Sequence, residues 1–291
     1  MKTTVIGLGL IGGSMAIDLR KAGVATSLTG VERSDVHANR ALELGLVDQI
    51  QTEGNLADAD LILVSIPVNA VNALLPGLLD TIGKDTVIID VGSTKTAICK
   101  SVRNHPRRSN FVAAHPIAGT ENSGPDAAFA GLFTNKTNII CERELSSENA
   151  LSVALKVFDA LGMRTIFMDP EEHDRHVAYV SHLSHVSSFL LGQTVLDIEK
   201  DEKNIFNLAG SGFASTVRLA KSSPQMWAPI FEQNAEYLSQ ALLEYIMHLQ
   251  RFHYHLMKHD TRELQRIMNG ANDIRRILDG IELKQKGNTS K

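Results

Sequence analysis

Six consecutive residues, Gly7-Leu8-Gly9-Leu10-Ile11-Gly12, constrain this chain more than any other stretch. They follow a short β-branched apolar run, Thr3 to Ile6, and open a helical pattern from Ile11 to Ala22 that stops at Gly23. A strand, a glycine turn and a helix in that order predict the first unit of a dinucleotide-binding fold. The first glycine makes the tight turn, the second lets the backbone approach a pyrophosphate, and the third lets helix and strand pack closely. The pyrophosphate then sits on the helix N-terminus, at Leu10 and Ile11, where free N–H groups favour an anion. Glu32 lies twenty residues past Gly12, placed to accept from ribose hydroxyls. Its carboxylate repels a 2′-phosphate, so NAD is expected over NADP, although Arg33 beside it could hold that phosphate. The competing reading is a glycine turn with no ligand.

Strand and helix signals alternate through the first half. Ser27 to Val31, Leu61 to Ile66, Val87 to Val91, Phe111 to Ala114, Asn138 to Cys141 and Arg164 to Phe167 read as strands. Val36 to Leu44, Val71 to Leu79 and Ser147 to Leu161 read as helices between them. Continuous apolar strands alternating with helices predict a parallel sheet covered on both faces, a Rossmann-type doubly wound α/β domain over residues 1–168. Ser65 and Pro67 follow a central strand, where strand ends face the ligand crevice; a plain strand-to-helix turn is the alternative. Beyond Asp169-Pro170 strand signals disappear. Long helical patterns cover Glu171 to Ile198, Pro224 to Lys258 and Thr261 to Ile281. They predict an all-helical domain over residues 169–291, with the polar tail from Lys284 frayed. Several of these helices are apolar around much of their circumference, which predicts a homodimer built on the C-terminal helices.

Charge and cysteine usage exclude several classes of function. The 291 residues carry a formal net charge of -4, with no basic field for nucleic acid and no polybasic stretch for a membrane surface. No apolar run reaches the ~18 residues of a membrane span. Two cysteines, Cys99 and Cys141, make no disulfide framework and fit a reducing compartment, so a cytoplasmic protein is expected. His182 and His185 have no accompanying carboxylate or cysteine cluster, so no metal is expected.

Four further segments carry chemistry. His115-Pro116-Ile117-Ala118-Gly119-Thr120-Glu121 sets an imidazole in a rigid turn just after a strand, and histidine changes charge near neutral pH without help. Asp90-Val91-Gly92-Ser93-Thr94-Lys95 follows another strand, with Ser93 also readable as a helix N-cap. In Ser181-His182-Leu183-Ser184-His185, Ser181 and His185 share a helix face. Arg218, in Gly210-Ser211-Gly212-Phe213-Ala214-Ser215-Thr216-Val217-Arg218, offers a planar fork for a carboxylate, and Ser223-Pro224-Gln225-Met226-Trp227 follows it.

Taken in this order, the glycine turn and these segments resemble the prephenate (or arogenate) dehydrogenase family, the oxidative decarboxylases of tyrosine biosynthesis, over most of the chain. The resemblance implies that His115 takes the proton of the substrate's ring hydroxyl as hydride leaves. It implies that Ser93 orients His115 or that hydroxyl, and that Thr120 and Glu121 shape the active-site wall. It implies that Arg218, His185 and Ser181 meet the dianionic substrate, with Trp227 packed near it. His182 is the alternative to His185, and core packing is the alternative for Trp227. Many members of the family carry a Lys or Arg and then an Asp after the phenylalanine of the second glycine turn; Ala214 and Ser215 stand there instead. The rival readings are a two-domain hydroxy-acid or imino-acid dehydrogenase, and a dinucleotide-binding regulator without catalysis.

Overall fold

The computed structural model describes residues 1–51, 56–200 and 204–287. Its sheet contains β1 (Lys2–Ile6), β2 (Ser27–Val31), β3 (Gln49–Ile50), β4 (Leu61–Val64), β5 (Val87–Asp90), β6 (Phe111–Pro116), β7 (Thr137–Cys141) and β8 (Arg164–Met168). The strands run in the order β3-β2-β1-β4-β5-β6-β7-β8. Strands β1 to β6 are parallel, β7 is antiparallel to β6, and β8 is parallel to β7. Chain order reverses between β1 and β4, which opens a crevice at the carboxyl ends of those strands. The first domain is therefore the expected doubly wound α/β sheet, and a helical region follows it.

Helices α1 (Leu10–Lys21), α2 (Asp35–Glu43), α3 (Val68–Thr81), α4 (Thr96–Val102) and α5 (Glu148–Ala160) connect the strands. Side chains alternate across the strands and feed two cores, because successive residues of a strand face opposite ways. One core joins Val5, Leu63, Ile89 and Val112 to Met15 and Leu19 of α1 and Val157 and Phe158 of α5. The other joins Ile62, Ile88 and Phe111 to Val71 and Leu75 of α3 and Ile98 of α4. Helix α5 starts on a true cap, with the Ser147 side chain accepting from Ala150 N–H.

The later helices are α6 (Pro170–Val177), α7 (Leu183–Glu199), α8 (Ser211–Thr216), α9 (Pro224–Gln233), α10 (Ala235–Met257), α11 (Thr261–Asn272) and α12 (Ile274–Gly287). The expected helix over Glu171 to Ile198 is two helices joined by a π-helical turn at Ala178–His182. The expected helix over Pro224 to Lys258 is interrupted at Asn234, whose φ of -108° and ψ of 25° leave the helical region. Residues 284–287 are helical rather than frayed, and 288–291 lie outside the described residues.

By their contacts, residues fall into two compact units, Met1–Ala235 and Glu236–Lys291. In the second unit, Asp260 caps α11, and Glu263 of α11 pairs with Arg251 of α10 and with Arg266. Leu243, Met247, Leu249, Ile277 and Leu278 of this unit are exposed. Among the described residues no helix is long and apolar enough to cross a membrane.

Candidate active site

Gly7, at the end of β1, takes φ +92°, where a side chain is strained, and a Cβ there would lie 2.3 Å from the Ser65 carbonyl oxygen. A Cβ on Gly12 would lie 2.1 Å from the Gly7 carbonyl oxygen. Gly9 differs: a Cβ there would meet nothing nearer than the Gly124 nitrogen at 4.0 Å. Two glycines thus close the turn and one leaves room over it. Gly9 starts α1 with no side-chain cap, so the N–H groups of the first turn, at Leu10 and Ile11, present partial positive charge to that room. A pyrophosphate fits this arrangement. Glu32 turns back on the same turn, accepting from Leu8 N–H at 3.1 Å and Ser34 N–H at 3.1 Å. Arg33 is exposed beside it. Ser65 supplies the floor under Gly7, and Pro67 starts α3. The long connection from β6 to β7 crosses the turn as well: Phe129 N–H donates to Ser14 Oγ, and Gly131 N–H to Asp18.

His115 stands at the carboxyl end of β6, on the same sheet edge as the glycine turn. It lies inside the strand rather than after it, paired with Ile139, because β7 continues the ladder to Pro116. Its Nδ1 is 2.8 Å from His173 Nε2, and His173 Nδ1 is 2.8 Å from Asp174 Oδ1. Burial lowers the His115 ring well below the ordinary histidine range, with His173, Lys95 and His182 adding to the shift. Burial lowers His173 too, while Asp174 pulls the other way. Both rings are therefore neutral near pH 7.

The β5 turn reaches the same place. Lys95 is fully buried, donating from Nζ to Asp90 and to the Ala114 carbonyl at 2.7 Å, one residue before His115. Burial raises the Asp90 carboxyl above its ordinary value, with Lys95 opposing. Asp174 caps this turn, accepting from Lys95 N–H and Thr96 N–H. Ser93 is half-buried in the turn and is not the helix cap; Lys95 holds that position and Asp174 supplies the acceptor.

A second group of side chains comes from α6 to α9. Ser181 sits in the π-helical turn, where its carbonyl accepts from His185 Nδ1–H at 3.0 Å. A carbonyl can only accept, so the His185 hydrogen is on Nδ1 and Nε2 is left to a ligand. His185 stacks on Trp227 with ring centroids 3.5 Å apart, and His182 meets the same indole edge-on. His182 is buried, held at about 4 by that burial, and tied to Asn234. Of the two histidines, His185 is the one a ligand can reach. Arg218 donates to Glu121 at 2.9 Å, which ties this group to the segment leaving His115. Thr120 stands next to Glu121, its Oγ1 accepting from Asn122 N–H.

Comparison with known proteins fits this geometry. The family described as "Prephenate dehydrogenase, nucleotide-binding domain" matches residues 15–167, and "Prephenate dehydrogenase, dimerization domain" matches residues 169–270. The chain belongs to the prephenate dehydrogenase family. The prephenate dehydrogenase of Bacillus subtilis is 30% identical over 99% of this chain and 78% of that one. The cyclohexadienyl dehydrogenase of Zymomonas mobilis is 31% identical over 85% of each chain. Among solved structures, the Aquifex aeolicus prephenate dehydrogenase, in complex with hydroxyphenyl propionate and NAD+, is 28% identical, with a TM-score of 0.86 over 96% of this chain and 98% of its own.

Of the residues singled out by this family's motifs, Arg218 meets Glu121, His185 meets Trp227, and His115 meets His173, while Ser93 stands in the turn before α4. Sequence reasoning misses His173, Asp174 and Asn234, which are bonded behind them. The signal available was weak: two adjacent polar residues on the buried face of α6, in register with Val177.

Proposed function

We propose that the protein is a prephenate dehydrogenase that uses NAD to convert prephenate to 4-hydroxyphenylpyruvate and CO2. The observation that carries this reading is His115: a neutral, half-buried imidazole whose Nδ1 is committed to His173, on the same side of the sheet as a turn shaped for a dinucleotide. A histidine so placed is a base at neutral pH.

In this reading residues 1–168 form the dinucleotide-binding domain and 169–291 the helical substrate and dimerisation domain. Gly7, Gly9, Leu10, Ile11 and Gly12 hold the pyrophosphate, Glu32 takes the adenosine ribose, and Ser65 and Pro67 line the cleft. The Glu32 carboxylate favours NAD over NADP, against Arg33. Bound NAD supplies the electron sink, its nicotinamide accepting a hydride. His115 takes the ring hydroxyl proton as the ring carboxylate leaves as CO2, and returns it to the oxygen of the new aromatic ring. Ser93 orients that hydroxyl. Arg218, released from Glu121, takes a substrate carboxylate, and His185, Ser181 and Trp227 hold the side chain. Thr120 and Glu121 wall the site. The enzyme's contribution is orientation and one positioned base.

The exposed apolar residues of α10 and α12 support a homodimer, in line with the description of the family that matches there. Arogenate is the second reading. It is favoured by a Synechocystis arogenate dehydrogenase that is 30% identical over 96% of this chain, with a TM-score of 0.74. Following reduced nicotinamide by absorbance, with NAD and NADP each paired with prephenate and arogenate, tests both. The expected result is turnover with NAD and prephenate. Turnover only with arogenate selects the second reading, and none with any pair rejects both.

A further inference from the structure

Asp174 and His173 have no part in the steps above, yet they are buried and fully engaged. The Asp174 carboxylate faces three donors: Lys95 N–H at 2.8 Å, Thr96 N–H at 2.9 Å and His173 Nδ1 at 2.8 Å. Hydrogen bonds from His173 and Thr96 hold this carboxyl below its ordinary value against the opposing effect of burial, so it is ionised. An ionised carboxylate can only accept, which fixes every proton in the array. His173 must carry its hydrogen on Nδ1. A neutral ring has one such hydrogen, so His173 Nε2 holds a lone pair. His115 Nδ1, 2.8 Å from that lone pair, must donate to it. The remaining nitrogen of His115, Nε2, then carries the free lone pair.

We infer that Asp174 and His173 are positioning residues that lock His115 in the Nδ1–H tautomer, so that Nε2 is the proton acceptor. The inference rests on the functional reading for its consequence in turnover, but the tautomer itself does not. Asp174 serves two elements at once, because the same carboxylate caps α4 and so sets the turn that carries Ser93. It also anchors α6, whose Asp174 carbonyl accepts from Asn234 Nδ2 at 2.7 Å. The direction of the array is what matters for chemistry. Reversed, it would place a hydrogen on His115 Nε2 and leave no base facing the hydroxyl.

The test uses the full-length protein labelled with nitrogen-15 in histidine, with His115 assigned by difference against His115→Asn. The expected spectrum shows a protonated Nδ1 and an unprotonated Nε2 for His115 near neutral pH. An Nε2–H tautomer in the unmodified protein would overturn the inference whatever the enzyme turns over. In Asp174→Asn the amide can donate to His173, and His115 should switch to the Nε2–H form. Its kcat should then fall at least about 100-fold with KM within about threefold. His173→Gln, whose carbonyl oxygen can accept from His115 Nδ1–H, should retain most activity, whereas His173→Leu should lose as much as Asp174→Asn. Equal losses in the Gln and Leu variants would reduce His173 to packing and sink the inference. A correct tautomer with no turnover on prephenate or arogenate would uphold the array and reject the functional reading alone.

Discussion

The two halves of the candidate active site are built from different material. The dinucleotide turn is backbone: a few consecutive residues in which missing side chains create the room and exposed N–H groups supply the charge. The histidine cluster is side chain: His115, His173, Asp174, Lys95 and Asp90 come from four separate elements and are held by burial and by the placement of protons. The first half is a matter of shape and fails when an atom is added. The second is a matter of ionisation and fails when a hydrogen is misplaced.

The largest effect expected from this contrast is in the second half. His115→Asn should lower kcat by about 10²- to 10⁴-fold, the range for a positioned base, while the NAD dissociation constant from titration stays nearly unchanged. A parallel loss of NAD binding would mean that the two halves are one site. The next effect is in stability. The buried His182 ring titrates at about 4, whereas its ordinary value is 6.5. Between those values the unfolded chain binds a proton that the folded chain does not. Stability is therefore complete above 6.5 and falls as pH drops through the window, by about 3 kcal/mol for this one ring. Denaturant titrations across the window should show that slope, and His182→Asn should flatten it by close to one proton. An unchanged slope in the variant would assign the pH response to other groups.

Gly12→Ala probes the first half. Its added carbon meets the Gly7 carbonyl, and the forced shift should cost about 1–3 kcal/mol of NAD affinity, read by calorimetry, with no change in the pH dependence of stability. Normal NAD binding in this variant would remove the steric account of the turn. Arg218→Gln is smaller: a half-exposed guanidinium that already pairs with Glu121 gains little by exchange, so its loss should raise the prephenate KM only about threefold. An unchanged KM would take Arg218 out of the substrate site.

The same contrast explains what the sequence could reveal. The glycine turn is legible because its physics is local, and three glycines at fixed spacing after an apolar strand state it outright. Strands β1, β4 and β5 are legible for the same reason, being short apolar runs closed by glycine, proline or aspartate. His173 and Asp174 are not, because hydrophobic periodicity locates buried faces and these buried positions are polar. The interruption of the long C-terminal pattern at Asn234 is hidden too. The Asn234 side chain there donates to the residue 174 carbonyl, a partner far away in the chain, and nothing in the neighbouring sequence announces it. The π-helical turn before α7 follows the same logic, since one residue of extra winding leaves no mark in composition. Family resemblance singled out the histidine and arginine proposed to meet the substrate, and left out the buried residues behind them.

The pair between Arg218 and Glu121 has a further consequence. A cation that waits on a carboxylate of its own chain is guarded by a tethered competitor, always present and never diluted. Any incoming anion engages it by exchange rather than by simple addition. The net gain is the difference between two similar contacts, and at a half-exposed pair that difference is small. A ligand with a single carboxylate therefore gains almost nothing at this position. In the proposed reading a ligand that engages His185 at the same time gains the remainder there, so the pair would act as a threshold that favours ligands with two points of attachment.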